Sequence, residues 1–444
     1  MGLIAVDINQ AKAGRSTVNH NRFLRFVVVV AIIVLLPVNT HASGFRLPES
    51  SISGMSLSNA VVANTDAKGA IIYNPAIMSM QEDRRVISFG LKQVDLKSHV
   101  NPQNGTATDS QGDDSVTIPD FYYTSKTTKK WAWGLGLHAP FGLETKWPQG
   151  TFPLFTQLAG DLGDPSVAGL EPEQSKIEVA NLTPNISYLI NQNNSVSFGI
   201  NYYDVRKLIF NTQAVHINGS GDEFGYTLGY LYKRGGWSFG ATYRSEVEVT
   251  ADGSINVVAG PSAGATANAS ADVEFPAMLQ IGLRNQINQN FALEFDIERT
   301  YWNSFNNIEI KNGLNIPITS TNNWKDSNAY RLAASYNITR AWQLRFGYTL
   351  DETPQPDDYF TARIPDSDRQ LFSFGVSYKP NSWEFEAGIM YVKFDNRTIN
   401  QPPDTYENRL IAGDTDPNGT DAYNGTYESD ATIIGIGLTK TFTY

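Results

Sequence analysis

A formal charge of −11 and an isoelectric point near 5.0 on 444 residues exclude nucleic acid as a partner, because neutralising phosphates takes concentrated Lys and Arg. The absence of cysteine excludes thiolate metal sites and disulfide scaffolding. A mean hydropathy of −0.29, with 12% aromatic residues and 36 glycines, excludes a bundle of spanning helices, which would push the average well above zero, and fits a β-rich chain.

The first residues carry a secretory pattern. Lys12, Arg15, Arg22 and Arg25 form a basic region, Phe26 to Val38 an apolar run, and Thr40-His41-Ala42 offers small residues for a cleavage site. The apolar run is shorter than the roughly 20 residues a spanning helix needs. Residues 1–42 are therefore expected to be a signal peptide, leaving Ser43 as the mature amino terminus. Residues 43–85 show no strand alternation and carry small residues such as Gly54, Gly69 and Ala70. About forty residues are too few for a core of their own, so this segment is expected to lie as a plug enclosed by the remainder of the chain.

Residues 86–444 are expected to form one all-β unit, an antiparallel transmembrane barrel. About fourteen segments alternate, near residues 86–99, 115–126, 130–140, 176–190, 194–210, 222–233, 237–250, 272–285, 290–311, 325–338, 341–352, 369–379, 382–395 and 430–444. Trp131, Trp133, Leu135 and Leu137 alternate with Ala132, Gly134, Gly136 and His138; Trp342, Leu344, Phe346, Tyr348 and Leu350 alternate with Gln343, Arg345, Gly347, Thr349 and Asp351. Successive side chains of a strand point to opposite faces, so a barrel in a membrane sets apolar residues toward lipid and polar or small ones toward the lumen. A soluble sandwich also alternates, but it does not place aromatics at the strand ends, where a membrane interface holds them. Every second connection is a tight polar turn, around Thr127 to Lys129, Asn191 to Asn193, Arg234 to Gly236, Gln286 to Gln289, Thr339 to Arg340, and Pro380 to Asn381. The others are longer, up to the stretch from Phe394 to Asp430. Short turns at one rim, long loops at the other and an even strand count are how a bacterial outer-membrane barrel closes its sheet. Lys440 interrupts the outward apolar row of the last segment, which ends on Tyr444.

Several motifs in order along the chain then resemble those of the FadL family of outer-membrane transporters. They are Ser43-Gly44-Phe45, Asn74-Pro75-Ala76, Ala139-Pro140-Phe141-Gly142-Leu143, Tyr243-Arg244-Ser245-Glu246-Val247, Trp324-Lys325-Asp326 with Tyr330-Arg331, and Ile364-Pro365-Asp366-Ser367-Asp368-Arg369. The resemblance implies a fourteen-stranded barrel closed by a small hatch, a hydrophobic pocket above it, and a lateral opening beside a kinked third strand. It implies passive carriage of hydrophobic compounds, long-chain fatty acids first, by a monomer in outer-membrane lipid, with no cofactor, metal or catalytic step.

Within that frame Asn74, Pro75 and Ala76 are the expected hatch motif, and Gly136, His138 and Pro140 the expected lateral opening. In well-known members the loop after the fifth strand is long, whereas here it spans only about Gln213 to Asp222. Ligand capture is therefore assigned to the loop after strand three, rich in Phe141, Leu143, Trp147, Phe152, Leu154, Phe155 and Leu158. A fatty acid also needs a cation or donor for its carboxylate; Arg206 and Lys207, near the outer end of strand five, are the expected contact, although alternation sets Arg206 outward unless a bulge intervenes. Lumen parity collects Arg244, Glu246, Glu274, Arg284, Glu294, Asp296, Arg331, Arg345, Arg369, Glu384 and Glu386, read as a salt-bridged scaffold around the plug, with Pro365, Asp366, Asp368 and Arg369 as a structural motif. The run Asp414, Asp416, Asn418, Gly419 and Asp421 mimics a calcium loop, but Gly425 stands where its bidentate Glu belongs, so it reads as a solvated turn. Uptake of aromatic hydrocarbons is the alternative within the family. A lipid-modifying enzyme and a structural or adhesive role of the long loops are the alternatives outside it.

Overall fold

The computed structural model describes residues 44–82, 85–112, 115–162, 168–316, 318–401 and 422–442; the expected signal peptide and the calcium-like run fall outside them, as does the side chain of Leu158. Fourteen strands succeed one another in chain order. The first six are β1 (Arg85–Pro102), β2 (Ser115–Lys126), β3 (Trp131–Lys146), β4 (Pro172–Asn191), β5 (Asn194–Thr212) and β6 (Val215–Arg234). The next four are each interrupted once: β7 (Trp237–Arg244 and Val247–Val257), β8 (Thr266–Phe275 and Met278–Gln286), β9 (Phe291–Thr300 and Asn307–Asn312) and β10 (Thr319–Thr321 and Ser327–Asn337). Then come β11 (Trp342–Asp351), β12 (Arg369–Tyr378), β13 (Trp383–Phe394) and β14 (Gly425–Phe442). Each pairs antiparallel with its neighbours in sequence, and β14 returns to β1 from Arg85↔Phe442 to Pro102↔Gly425. The sheet is thereby closed and leaves no unpaired edge in hydrocarbon.

The six expected tight turns lie at one rim. Beside them stand Trp131, Trp237, Trp342 and Trp383, each opening a strand and each 40–44% exposed on the outer face. Above them, outward residues such as Phe89, Ile186, Phe198, Leu228, Phe374 and Ile436 form an exposed apolar belt that suits lipid. Lys440, the expected interruption, stretches back to the rim: its Nζ lies 4.4 Å from the Trp383 ring centroid and donates to Ser382 Oγ at 2.6 Å.

The polarity of both faces reverses farther up. On β1 the inward residues run Ser88, Gly90 and Lys92, then Val94, Leu96 and Val100, while the outward ones run Ile87, Phe89 and Leu91, then Gln93, Asp95 and Lys97. The lower lumen is thus polar and packs the plug; the upper lumen is apolar and stands above the belt. Two of the expected lumen charges move outside for a related reason. Pro276 cannot donate to a ladder, and the pairing jumps from Arg244↔Met278 to Val247↔Phe275. Three residues rather than two separate inward positions there, so Glu246 and Glu274 face outward while Arg244, Val247 and Phe275 stay inside.

Residues 44–82 fill the lower lumen with two short helices, α1 (Ile52–Ser56) and α2 (Ile77–Met80), and a tight helical turn at Lys68–Ile72. Helices this short are not stable alone, and the wall holds them. Asn74 is fully buried: its Nδ2 donates to Val62 O at 2.8 Å and to Tyr230 O at 3.0 Å, and its Oδ1 accepts from Ala76 N at 3.1 Å. Ala76 O in turn accepts from Ser195 Oγ at 2.7 Å and Ser187 Oγ at 3.3 Å. Pro75 fixes the turn between these bolts. On the opposite wall Val62 N and Ala63 N donate to Asp296 and Glu294, and Glu298 binds both Arg46 and Arg331. Arg345 is held by Glu384 at 2.8 Å and by Glu386.

Candidate functional site: an apolar upper lumen with a gap in the wall

Phe45 is the centre of the upper lumen. Its ring lies 4.8 Å from that of Trp302, 5.3 Å from Phe305 and 5.8 Å from both Phe141 and Trp324. Such pairs contribute about 0.5–1.5 kcal/mol each beyond the area they bury. Gly44 must be glycine: its φ is +63° and a Cβ would come within 2.5 Å of Trp324. Its N–H donates to Asp366 Oδ2 at 3.0 Å, and the same carboxylate accepts from Thr353 Oγ1 at 2.5 Å. Burial pushes the Asp366 carboxyl above the usual range, opposed by Arg369 and by these two bonds. Arg369 bonds Asp351 at 3.0 Å, Asp368 accepts from Thr353 N, and Pro365 lines the cleft beside them. The Pro365–Arg369 motif therefore ties an upper loop to the start of the hatch.

Two contiguous cavities flank Phe45 and share Leu143 and Ile364. One, of about 720 Å³, faces Val94, Leu96, Leu371, Val392 and Ile433. The other, of about 560 Å³, faces Ile177, Leu208, Phe210, Val273 and Ile308. A third cleft of about 430 Å³, lined by Ile217, Ala251, Ala271 and Ile310, shares Leu208 and Phe210 with the second and continues it toward the upper mouth. These linings suit an apolar small molecule.

One charge faces the second cavity without a counter-ion. Arg363 is 7% exposed, lies 3.7 Å over the Phe210 ring, and spends Nη1 on Ser175 Oγ and Asn211 O, both at 3.0 Å. Among the described residues no carboxylate pairs with it, whereas Lys176 beside it is bound to Glu144 at 2.7 Å. Burial pushes the Arg363 pKa down to about 10, which leaves it cationic at neutral pH.

Several site residues expected from the sequence lie away from these cavities. A bulge between Val205 and Leu208 leaves both Arg206 and Lys207 more than half exposed on the outside, paired with Asp204 at 3.0 Å and Glu178 at 3.9 Å. The same bulge turns Leu208 and Phe210 inward. Strand β3 runs on to Lys146, so Phe141 and Leu143 belong to the wall rather than to a loop. Phe141, Trp147 and Phe152 are buried, Trp147 by donating Nε1 to Ala362 O at 2.8 Å; Leu143 lines both cavities, and Leu154 and Phe155 are half-buried on α3 (Pro153–Leu162). The expected capture set is therefore not one exposed patch. Connection β5–β6 is shorter than expected, only Gln213 and Ala214. Arg363 escaped notice although it directly precedes the Ile364-Pro365-Asp366 motif, and Phe45 and Trp324 stood inside motifs whose packing no periodicity reveals.

Gly136, His138 and Pro140 lie together at a break in the wall. The β2–β3 ladder ends at Phe121↔Leu137, although β2 goes on pairing with β1 to Ser115 and β3 with β4 to Lys146. Continuing the register would set Pro119 against Ala139 and Ile118 against Pro140, and neither proline can donate. On the β4 side the pairing skips from His138↔Asn181 to Phe141↔Val179. The start of the hatch occupies the inner side of this kink: Leu47 N donates to Pro140 O at 2.8 Å and Gly142 N to Phe45 O at 3.1 Å. A Cβ on Gly136 would touch Thr183 and come within 3.7 Å of Ile72 in the hatch.

Known proteins share this architecture. Residues 33–442 match the family described as outer membrane protein transport protein (OMPP1/FadL/TodX). The long-chain fatty acid transport protein of Escherichia coli O6:H1 is 26% identical over 430 residues, 83% of this chain and 91% of its own. In fold, a Pseudomonas aeruginosa FadL homologue is similar with a TM-score of 0.73 at 17% identity, over 90% of this chain and 100% of its own. The toluene transporter TodX of P. putida is similar with a TM-score of 0.61 at 16% identity, over 89% and 100%. A closed barrel with a lipid-facing belt, a hatch and a match over nearly its whole length make this chain a bacterial outer-membrane β-barrel that belongs to the outer membrane protein transport protein family, OMPP1/FadL/TodX.

Proposed function

We propose that this protein carries long-chain fatty acids passively across the outer membrane, as a monomer and without a catalytic step. The observation that carries the reading is Arg363, a buried cation lacking a carboxylate partner among the described residues, in the wall of an otherwise apolar cavity. An alkyl tail gains roughly 0.8 kcal/mol per buried CH₂, and a charge-assisted bond to its carboxylate adds about 1.5–3 kcal/mol. Arg363 takes the role first given to Arg206 and Lys207. Leu143 keeps a part in capture, with the cleft at Ile217, Ala251 and Ile310 as the entrance. The hatch, residues 43–85 after removal of the signal peptide, shifts to join the cavities to the β2–β3 gap at Gly136, His138 and Pro140, and the ligand leaves into the membrane.

The support is physical, and it agrees with what the E. coli relative is named for. Mass spectrometry of lipids that co-purify with the barrel tests it: long-chain carboxylates are expected, and a transporter-null strain expressing the protein should take up oleate. Co-purification of neutral hydrocarbon alone, with no oleate uptake, would overturn the reading. The aromatic cage around Phe45 favours a second reading, uptake of monoaromatic hydrocarbons, under which Arg363→Met would leave transport intact.

A further inference from the structure

Between the hatch and the kink in β3 lies a fourth, narrow cleft, lined by Tyr73, Pro140, Thr242, Arg244, Gln280 and Glu298 among others. It sits lower than the aromatic cage and beside the wall gap. Arg244 lines it, and His138 stands two residues before Pro140 on the same kinked strand. Arg244 donates Nη2 to Ile72 O, a hatch carbonyl, yet among the described residues it has no carboxylate within ion-pair distance, because Glu298 is held by Arg46 and Arg331. His138, two residues from Pro140 and on the inward face of β3, is 2% exposed, and neither of its ring nitrogens has a hydrogen-bond partner. The charged side chains whose fields reach His138 are Arg244, Lys92 and Arg46, all cations. Lys92 is paired with Asp120 and Arg46 with Glu298, whereas no ion pair of Arg244 occurs among the described residues.

Resting on the fatty-acid reading above, we infer that this cleft is a second binding station, where Arg244 holds the carboxylate of a departing ligand while its tail enters the β2–β3 gap. An anion that left Arg363 for the wall unaccompanied would cross a dry interior with its charge unpaired, at a cost of several kcal/mol. A guanidinium half-way removes most of that cost. The gap ahead is flanked by Pro119 and Pro140, which offer no donor to detain it.

The test uses the full-length protein in a transporter-null strain, with oleate and methyl oleate as paired probes. Arg244→Gln should slow oleate uptake about tenfold, leave methyl oleate uptake within twofold of wild type, and leave oleate affinity of the purified barrel unchanged, since that affinity resides at Arg363. Arg244→Lys keeps the cation and should retain most oleate uptake; heat-modifiable migration on a gel confirms that each variant is folded. Oleate uptake at the wild-type rate in Arg244→Gln, or equal slowing of acid and ester, would overturn the station while leaving the transport reading intact. Failure of the wild type to carry oleate would overturn both.

Discussion

The proposed carboxylate contact, Arg363, is a guanidinium 3.7 Å over the Phe210 ring and facing aliphatic side chains. Replacing Arg363 with Met keeps the volume and removes the charge, so fatty-acid affinity should fall about tenfold or more while that of the methyl ester stays constant. Titration calorimetry with both ligands reads this directly, and equal losses would mean that Arg363 only shapes the loop. Glu298 answers a different question. Among the described residues it is the ion-pair partner of both Arg46 in the hatch and Arg331 in the wall, and all three are buried. Glu298→Gln leaves two buried cations short of a counter-charge, a loss of about 3–5 kcal/mol. Amides of residues 44–60 should then exchange with deuterium much faster while strand amides stay protected. The scaffold role of such charges was legible from lumen parity alone, because nine of the eleven stay on the parity that alternation gave them. Arg363 was not legible, since it stands in a loop where no period assigns a face, and the bulge that turns Lys207 outward beside Arg206 leaves no mark in its residue type.

Alternation carries its information at the level of the strand, which is why the fourteen strands and six tight turns were readable and the interruptions within β7 to β10 were not. A strand that changes face part-way still alternates on either side of the break. Pro276 marks one such break, and Pro119 with Pro140 marks the wall gap, so proline within an alternating run is the signal that finds them. The hatch is the element with the weakest local signal, because its helices are too short to declare themselves and are shaped by what surrounds them. Its contact with the wall is nevertheless tight. A Cβ on Gly240 of β7 would come within 2.1 Å of Val62 O, and one on Gly347 of β11 within 2.4 Å of the Leu57–Ser58 peptide, backbone that cannot swing away. Gly240→Ala and Gly347→Ala should therefore displace the hatch without breaking the barrel. The expected result is a measurable single-channel conductance in planar bilayers and sensitivity of the expressing cells to large antibiotics. Silent bilayers for both variants would show that the hatch accommodates the methyl groups and is looser than its packing indicates.

The barrel of β1 to β14 is a cylinder with two zones of opposite polarity inside and out. In the lower zone the outer face is apolar and the lumen polar; in the upper zone the lumen is apolar and the outer face polar. Only the lower zone can sit in hydrocarbon, since the outward Asp95, Lys97 and Asp204 would each be costly there. An oily cavity therefore stands above the lipid, where a ligand arriving from water meets it first, and the wall gap lies below, closer to the membrane. The eight tryptophans divide along the same line. Trp131, Trp133, Trp237, Trp342 and Trp383 are 40–44% exposed on the outer face at the short-turn rim, whereas Trp147, Trp302 and Trp324 are at most 2% exposed, in the upper lumen and loops. Lipids brominated along the acyl chain quench indoles that touch them, so reconstituted protein should lose the emission of the first five and keep that of the last three. Replacing those five with Phe should leave a residual, blue-shifted emission that brominated lipid does not alter but that bound fatty acid does, through the Trp302 and Trp324 cage. If bromine quenches the remaining three, the upper zone is immersed, and the membrane must lie higher on the barrel than the polarity of its outer face allows.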